Sequence, residues 1–578
     1  MNPIASSPST TRSVTVAGSG GSGALTTGNL LLDASAREGL YGILTRTVGP
    51  QIRGGEAAAM LHLGTEPVEC ISDCYDLFLA MDWKNIERYA TEIPLKPESL
   101  IIADPAQGEV PAIVARSGAK VIEIPIKQLA AAIKGRPNMI ALGIMAELLG
   151  LSAEAIQRVL QKRLGEKGKE SVAESLAAIE AGRTAVRGVA TLSMPGRVNP
   201  DKGRWVITGN EATGLGAIRG GIRFVAAYPI TPATEILEWL SSTLSKVGGT
   251  LVQAEDELAS ANMVIGASYG GVPSLTATSG PGLVLMMESL GLAVSAEVPL
   301  VVIDVMRGGP STGMPTKSEQ SDLNIALYGF HGDAPHLVLA PTSIADSLFT
   351  SQWAVFLAEA MQVPAIVLSD QFMGQARMII DPPLTETMAA KRDVAHIPGV
   401  DYRRYADTPS GISPMSVPGI SGGQYTADGL EHSQSGLPST TPSDHAMQLD
   451  KRLRKLTGFD YGDHWAEISG RGAHAIITWG STTGAVREAL KRLHHEEIDD
   501  VRLIAIRLLS PTQPERLVAA LAGVDRVLVV EQTHSGQFYR YLRAHYELPG
   551  DVQAYHRPGP QLIHPGELYE KIKNWRIV

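Results

Sequence analysis

Short apolar runs, each closed by turn residues and followed by a helix-like segment, recur along most of this chain. Between residues 203 and 385 they read RWVITG, FVAAYP, GTLVQAE, PSLTATS, PLVVIDV, HLVLAP and PAIVLSD. The runs are continuous rather than alternating, the pattern of strands buried on both faces of a parallel sheet. The same rhythm precedes them (SVTVA, YGILTRTV, AAAMLHLG, DLFLAMD, SLIIADP, KVIEIPI) and returns after residue 466 (HAIITWG, VRLIAIRLLSP, VDRVLVVEQ). It breaks between 386 and 465, where SPMSVPGISGG and HSQSGLPSTTPSDH carry Ser, Pro and Gly instead. The expected fold class is α/β, with several doubly wound parallel-sheet domains. The expected domains are 1–195, 203–385 and 466–578, with 386–465 an irregular connecting segment that is either a disordered linker or an ordered loop crossing between domains.

Composition narrows the picture. At 578 residues the chain exceeds one core. A low aromatic share of 5% beside 59 glycines suits tight strand-to-helix turns better than a β-sandwich. A net charge of −10 disfavours a nucleic-acid partner. No run of 18 apolar residues appears and the start has no apolar core of a signal peptide, so the expected location is cytoplasmic. The two cysteines, Cys70 and Cys74, are too few for a zinc or iron–sulfur cage and read as reduced thiols. Any iron–sulfur cluster belongs elsewhere.

Two glycine-rich places invite a ligand. Gly18 to Gly23 stands between a strand and a helix and matches the dinucleotide fingerprint in form. No acid ends the second strand, however, which weakens a NAD or flavin reading. A different anionic ligand, or a purely structural tight turn, is the alternative, and the structural turn is favoured. The second place is Gly209–Gly282. It holds the turn Tyr228-Pro229-Ile230-Thr231-Pro232, the acids Glu255-Asp256-Glu257 and the turn Ser279-Gly280-Pro281-Gly282, each after an apolar run. Open parallel sheets bind ligands at the carboxyl ends of their strands, so these loops suggest one composite site. Arg307, after VVIDVM, is well placed to grip a carboxylate, or equally to pair with Asp304 or Asp322. The acids could simply favour a helix start, and the proline turn could simply end a strand. His331, His432, His445 and His534 lie in loops, where a histidine is usually solvated.

Taken together, these motifs resemble the alpha subunits of 2-oxoacid:ferredoxin oxidoreductases with a fused gamma domain, and among them the 2-oxoglutarate enzymes. Residues 13–190 resemble the gamma domain through Gly18–Gly23 and Arg53-Gly54-Gly55. Residues 203–385 resemble the thiamine-pyrophosphate pyrimidine-binding domain through Tyr228–Pro232, Glu255–Glu257 and Arg307–Gly313. Residues 466–578 resemble a transketolase C-terminal-type domain through Glu531–Gln537, expected at a domain contact.

The resemblance implies CoA-dependent oxidative decarboxylation of a 2-oxoacid, with 2-oxoglutarate to succinyl-CoA the favoured conversion, electrons passed to ferredoxin, and reversal as CO2 fixation. Pyruvate or another 2-oxoacid is the alternative; less favoured are a NAD- or flavin-binding oxidoreductase, a noncatalytic assembly subunit and another thiamine enzyme. It assigns Glu257 to the cofactor pyrimidine in preference to Glu255, with Tyr228, Pro229 and Ile230 beside it. It assigns Thr231, Arg307 and Thr316 to the substrate, and leaves Lys317 or the partner to meet a second carboxylate. The chain contains no Gly-Asp-Gly, the family's diphosphate turn. A beta subunit is therefore expected to bring the diphosphate site, Mg²⁺ and a [4Fe–4S] cluster, forming an alpha–beta unit that dimerises.

Overall fold

The computed structural model of the chain describes residues 10–49, 55–164, 168–189, 192, 194, 203–384, 388, 391–396 and 401–577. Arg53, Gly54 and the GRVNPD segment at 196–201 lie outside the described residues. The chain forms two compact units. The first combines Met1–Ile207, Ala376–Leu384 and His564–Glu570; the second combines Thr208–Gln375, Thr385–Ile563 and Lys571–Val578.

The first unit is built on an eight-stranded sheet. Thr11–Ser19 runs parallel to Tyr75–Ala80, which continues into Leu95–Ala103 and Lys120–Glu123. On its other side Thr11–Ser19 pairs antiparallel with Glu56–Gly64, and that strand pairs antiparallel with Tyr41–Val48. The sheet is thus mixed, and the second strand in sequence is not a neighbour of the first, unlike a dinucleotide-binding βαβ unit. Strand Arg377–Ile380 adds antiparallel to Tyr41–Val48. The Arg377 guanidinium donates to Asn29 Oδ1 and, at 3.1 Å, to Asp33 Oδ1, while Tyr41 Oη donates to Asp381 at 2.7 Å.

The second unit carries a seven-stranded sheet. From one edge inward its strands are Thr250–Gln253, Phe224–Ala227, Ser274–Thr278, Leu300–Met306, Pro364–Asp370 and Leu337–Leu339, all parallel. The seventh, Leu508–Ser510, comes from far along the chain and closes the edge antiparallel to Leu337–Leu339. A five-stranded sheet follows, with Val501–Ile506, His474–Trp479, Arg526–Glu531 and Asp551–His556 parallel, and Ala466–Gly470 antiparallel at its edge. One continuous apolar core runs through both sheets, so residues 208–375 and 466–563 belong to a single unit.

The segment expected to be irregular is partly helical, because Pro442–Thr457 forms an α-helix with Thr441 as its cap. The apolar pattern there is sparse because charged side chains do the anchoring. Lys451 Nζ donates to Glu297 Oε1 at 2.6 Å and Lys455 Nζ to Glu297 Oε2 at 2.9 Å, while the buried Arg404 donates to the Glu297 carbonyl at 2.8 Å. One buried carboxylate therefore bonds two lysines directly and feels the charge of a third cation, Arg404, nearby. Burial opposes the charge on Glu297, but the attraction of Lys455, Lys451 and Arg404 wins and holds its carboxyl far below the usual range. For the two lysines burial wins, lowering Lys451 and pushing Lys455 down to about 7, whereas for Arg404 burial is overcome, chiefly by the charge of Glu297, and the guanidinium is raised. Removing the single acid strands three buried cations; removing one cation still leaves two. Glu297→Gln is therefore expected to lower the unfolding free energy by about 3–5 kcal/mol, and Lys455→Met by less than half of that, in denaturant titrations.

Candidate active site

Strands Thr250–Gln253, Phe224–Ala227, Ser274–Thr278 and Leu300–Met306 are consecutive neighbours and parallel. Their carboxyl ends therefore share one edge of the sheet within roughly 15 Å, at about 4.8 Å per strand. The loops leaving those ends carry, in the same order, Glu255–Glu257, Tyr228–Pro232, Ser279–Gly282 and Arg307.

The three acids separate by environment. Glu255 and Asp256 are exposed, and Asp256 caps the helix Glu257–Tyr269 by accepting from the Ala259 N–H at 2.7 Å. Glu257, at the first helical position, is only 7% exposed. Its carboxylate makes no hydrogen bond to any described residue and lies against Gly282, where a Cβ would stand 2.8 Å from Oε1. A buried carboxylate beside backbone bared by a glycine is suited to accept a hydrogen bond from a flat heterocycle. The residues present thus fit a pyrimidine.

The proline turn is held by its backbone. Arg307 Nη1 donates to the Thr231 carbonyl at 2.5 Å, and the buried Asn210 Nδ2 donates to the Pro232 carbonyl at 3.0 Å. This leaves the exposed Thr231 hydroxyl without a partner among the described residues. Tyr228 is exposed, and Pro229 and Ile230 are half-buried.

Arg307 itself is 6% exposed and its Nε is buried without a partner. The ion-pair alternative is not what the geometry shows: no carboxylate among the described residues lies within 4.0 Å of its guanidinium. Its loop doubles back at Gly313, with φ of +55° and a position at which a Cβ would strike the Gly308 carbonyl. Thr316 is half-buried next to Lys317, whose carbonyl accepts from the Gly308 N–H at 3.1 Å.

Beneath the arginine lie two acids. Asp304 is fully buried and Asp322 lies beside it, with Ser321 Oγ donating to Asp322 Oδ1 at 3.0 Å. Neither Asp304 oxygen has a donor if both groups are ionised, but a proton between the two carboxyls supplies one. Burial, and then the charge of Asp322, raise the Asp304 carboxyl well above its ordinary value. Burial pushes Asp322 up to about 6, against the pull of Ser321, Asp304 and Arg307. Burial also lowers the Arg307 pKa, opposed by the charges of Asp322 and Asp304.

Other candidates have structural partners. Ser19 N–H and Oγ in the Gly18–Gly23 turn both donate to Asp82 Oδ2, at 3.0 and 2.8 Å, so an acid of the chain occupies donors that a phosphate would use. His432 stacks on Tyr405 with centroids 4.6 Å apart, and His445 Nδ1 lies 2.8 Å from Glu431; His331 and His534 are exposed. The Glu531–Gln537 loop does meet the loop after Arg307. Gln320 exchanges hydrogen bonds with the Gln532 backbone at 3.1 and 2.7 Å, and Gln537 donates to the Ser321 carbonyl at 3.0 Å. Cys70 is buried and Cys74 half-buried, and neither forms a disulfide.

Comparison with known proteins places this geometry. The family described as pyruvate flavodoxin/ferredoxin oxidoreductase, thiamine diP-bdg, matches residues 215–451, which contain every site residue above except Asn210. The family described as pyruvate ferredoxin/flavodoxin oxidoreductase matches residues 13–185. The alpha subunit of 2-oxoacid:ferredoxin oxidoreductase 2 from Aeropyrum pernix is 34% identical over 483 residues, 75% of this chain and 73% of that one. This chain belongs to the 2-oxoacid:ferredoxin oxidoreductase family.

Within that family, the 2-oxoglutarate synthase subunit KorA of Methanothermobacter thermautotrophicus is 34% identical, over 64% of this chain and 98% of its own. A solved 2-oxoglutarate:ferredoxin oxidoreductase from Magnetococcus marinus, with 2-oxoglutarate, coenzyme A and succinyl-CoA bound, superposes with a TM-score of 0.91 at 36% identity, covering 98% of this chain and 99% of that one. As in the rest of the family, the chain is an oxidoreductase component built on a thiamine diphosphate-binding fold. No helix among its described residues is long and apolar enough to cross a membrane.

Sequence reasoning missed Asn210, which braces the proline turn. Its only signal is a lone amide among the small residues GNEATG. If Glu257 holds the cofactor ring, Glu257→Ala lowers turnover by about 10²–10⁴ without a matching loss of thermal stability. Near-normal turnover would remove Glu257 from the site.

Proposed function

We propose that this chain is the alpha subunit of a 2-oxoglutarate:ferredoxin oxidoreductase, and that it forms succinyl-CoA and CO2 from 2-oxoglutarate and coenzyme A. Two electrons pass singly to ferredoxin, and the reverse reaction fixes CO2. The observation that carries this reading is the placement of Glu257, Thr231 and Arg307 on neighbouring strand ends of one sheet. The substrate choice is supported by the Magnetococcus relative, similar along nearly its whole length.

Bound thiamine diphosphate would supply the carbon nucleophile and the electron sink. Glu257 holds the pyrimidine ring nitrogen in a partly buried setting, where its hydrogen bond is strong. Arg307 grips the carboxylate next to the keto group, using the Nε that no protein acceptor occupies. The Thr231 hydroxyl donates to a substrate oxygen, and Thr316 lines the same loop. Tyr228, Pro229 and Ile230 form the wall beside the ring.

The diphosphate, Mg²⁺ and [4Fe–4S] sites belong to a beta subunit in this reading, and the alpha–beta unit dimerises. Exposed apolar residues support a partner at this edge. Leu258 follows Glu257, and Val284 and Leu285, about half exposed, stand one turn into the helix that begins at Gly280. Leu285→Asp is expected to cost about 2 kcal/mol or more of assembly free energy, seen as loss of co-purification with the beta subunit. The co-purified complex should reduce a one-electron acceptor only when CoA is present, and faster with 2-oxoglutarate than with pyruvate or other 2-oxoacids. Equal rates, or activity without CoA, would overturn the assignment.

A further inference from the structure

Asp304 and Asp322 are buried beside the candidate substrate-binding arginine, and the reaction outlined above gives them no task. Asp304 lies within the strand Leu300–Met306 that delivers Arg307. Asp322 lies over Gly280, where a Cβ would stand 2.7 Å from either carboxylate oxygen. Gly280 opens the 16-residue helix Gly280–Ser295, whose amino end favours negative charge. Asp322 is therefore the member that carries the charge, and Asp304 the member that carries the proton. Neither comes within 4.0 Å of the Arg307 guanidinium, which donates instead to the Thr231 carbonyl. The acids do not position the arginine by contact.

We propose that Asp304 and Asp322 share a single proton and act together as a counter-charge to Arg307, weakening its hold on the substrate carboxylate so that it can depart as CO2. This rests on Arg307 being the carboxylate-binding residue. Decarboxylation breaks the bond between C1 and C2, and the electron pair stays with the C2 fragment. The negative charge thereby leaves the oxygens that Arg307 holds, and neutral CO2 departs without gain or loss of a proton. A buried arginine with no counter-charge stabilises the bound carboxylate more than the state in which that charge has gone, and so raises the barrier. One negative charge nearby in the same low-dielectric pocket offsets this excess.

The pair's surroundings set when it carries that charge. Facing Asp304 are Asp322 and Arg307; facing Asp322 are Asp304, Arg307, the Ser321 hydroxyl and, along its own loop, Glu319, which in turn feels His534. Above about 6 the pair holds one proton and one negative charge; below that Asp322 takes up a second proton and the counter-charge is lost.

The test uses the complex with its beta subunit and the unreactive isostere N-oxalylglycine as a competitive inhibitor. The double variant Asp304→Asn/Asp322→Asn is expected to bind the inhibitor about tenfold more tightly and to turn over about tenfold more slowly. A merely structural pair would instead misplace Arg307 and weaken inhibition, so an unchanged or raised inhibition constant overturns the proposal. Should the double variant not fold, the unmodified complex serves. Its inhibition constant should fall between about pH 8 and about pH 5.5 as the pair is neutralised, and a flat profile overturns the proposal. Arg307→Lys separates the two readings. If it leaves inhibition unchanged, the carboxylate assignment itself has failed; if it weakens inhibition while the double variant changes nothing, only the counter-charge has failed.

Discussion

Parallel pairing is the constraint on which the functional features depend. A strand that pairs in parallel must return by a crossover, and every crossover of the seven-stranded sheet leaves from the same edge. Four loops that are distant in sequence, from Tyr228 to Arg307, are thereby delivered side by side. The candidate site is thus assembled at one edge of the sheet.

Two buried charge clusters in the same unit show how differently a protein interior can use ions. Around Glu297 every partner is within hydrogen-bond distance, and the result is a clamp that seats residues 401–457. Around Arg307 one backbone contact is made, the guanidinium Nε is left without an acceptor, and two acids stand further off. The first arrangement spends its charges on stability. The second leaves a buried donor unsatisfied, and in the proposed function that donor is free to meet the substrate carboxylate.

The strand-and-turn rhythm made the α/β class and the edge loops legible, because continuous apolar runs and proline or glycine turns are local signals. Glu257, Thr231 and Arg307 were legible for the same reason: each sits in or next to a turn that closes an apolar run. What escaped was whatever depended on distant pairing. Residues 377–380 read as the end of the second domain but lie in the first unit's sheet. Leu508–Ser510 completes a sheet whose other strands end before residue 371. The helix Pro442–Thr457 was hidden because Lys451 and Lys455, which look solvated in sequence, are buried on Glu297. Burial of a charge is decided by its partner, and the partner is about 150 residues away.

Strand Arg377–Ile380 has a consequence for the order in which the molecule can be made. The first unit has most of its helices and most of its sheet by residue 207, yet the strand beside Tyr41–Val48 emerges only after the chain of the seven-stranded sheet has largely been synthesised. At about 5–20 residues per second, roughly 15–60 s separate Tyr41–Val48 from that neighbour on the ribosome. During that interval the nascent chain carries an open β edge beside Tyr41–Val48, a surface that invites mispairing until its own late strand arrives.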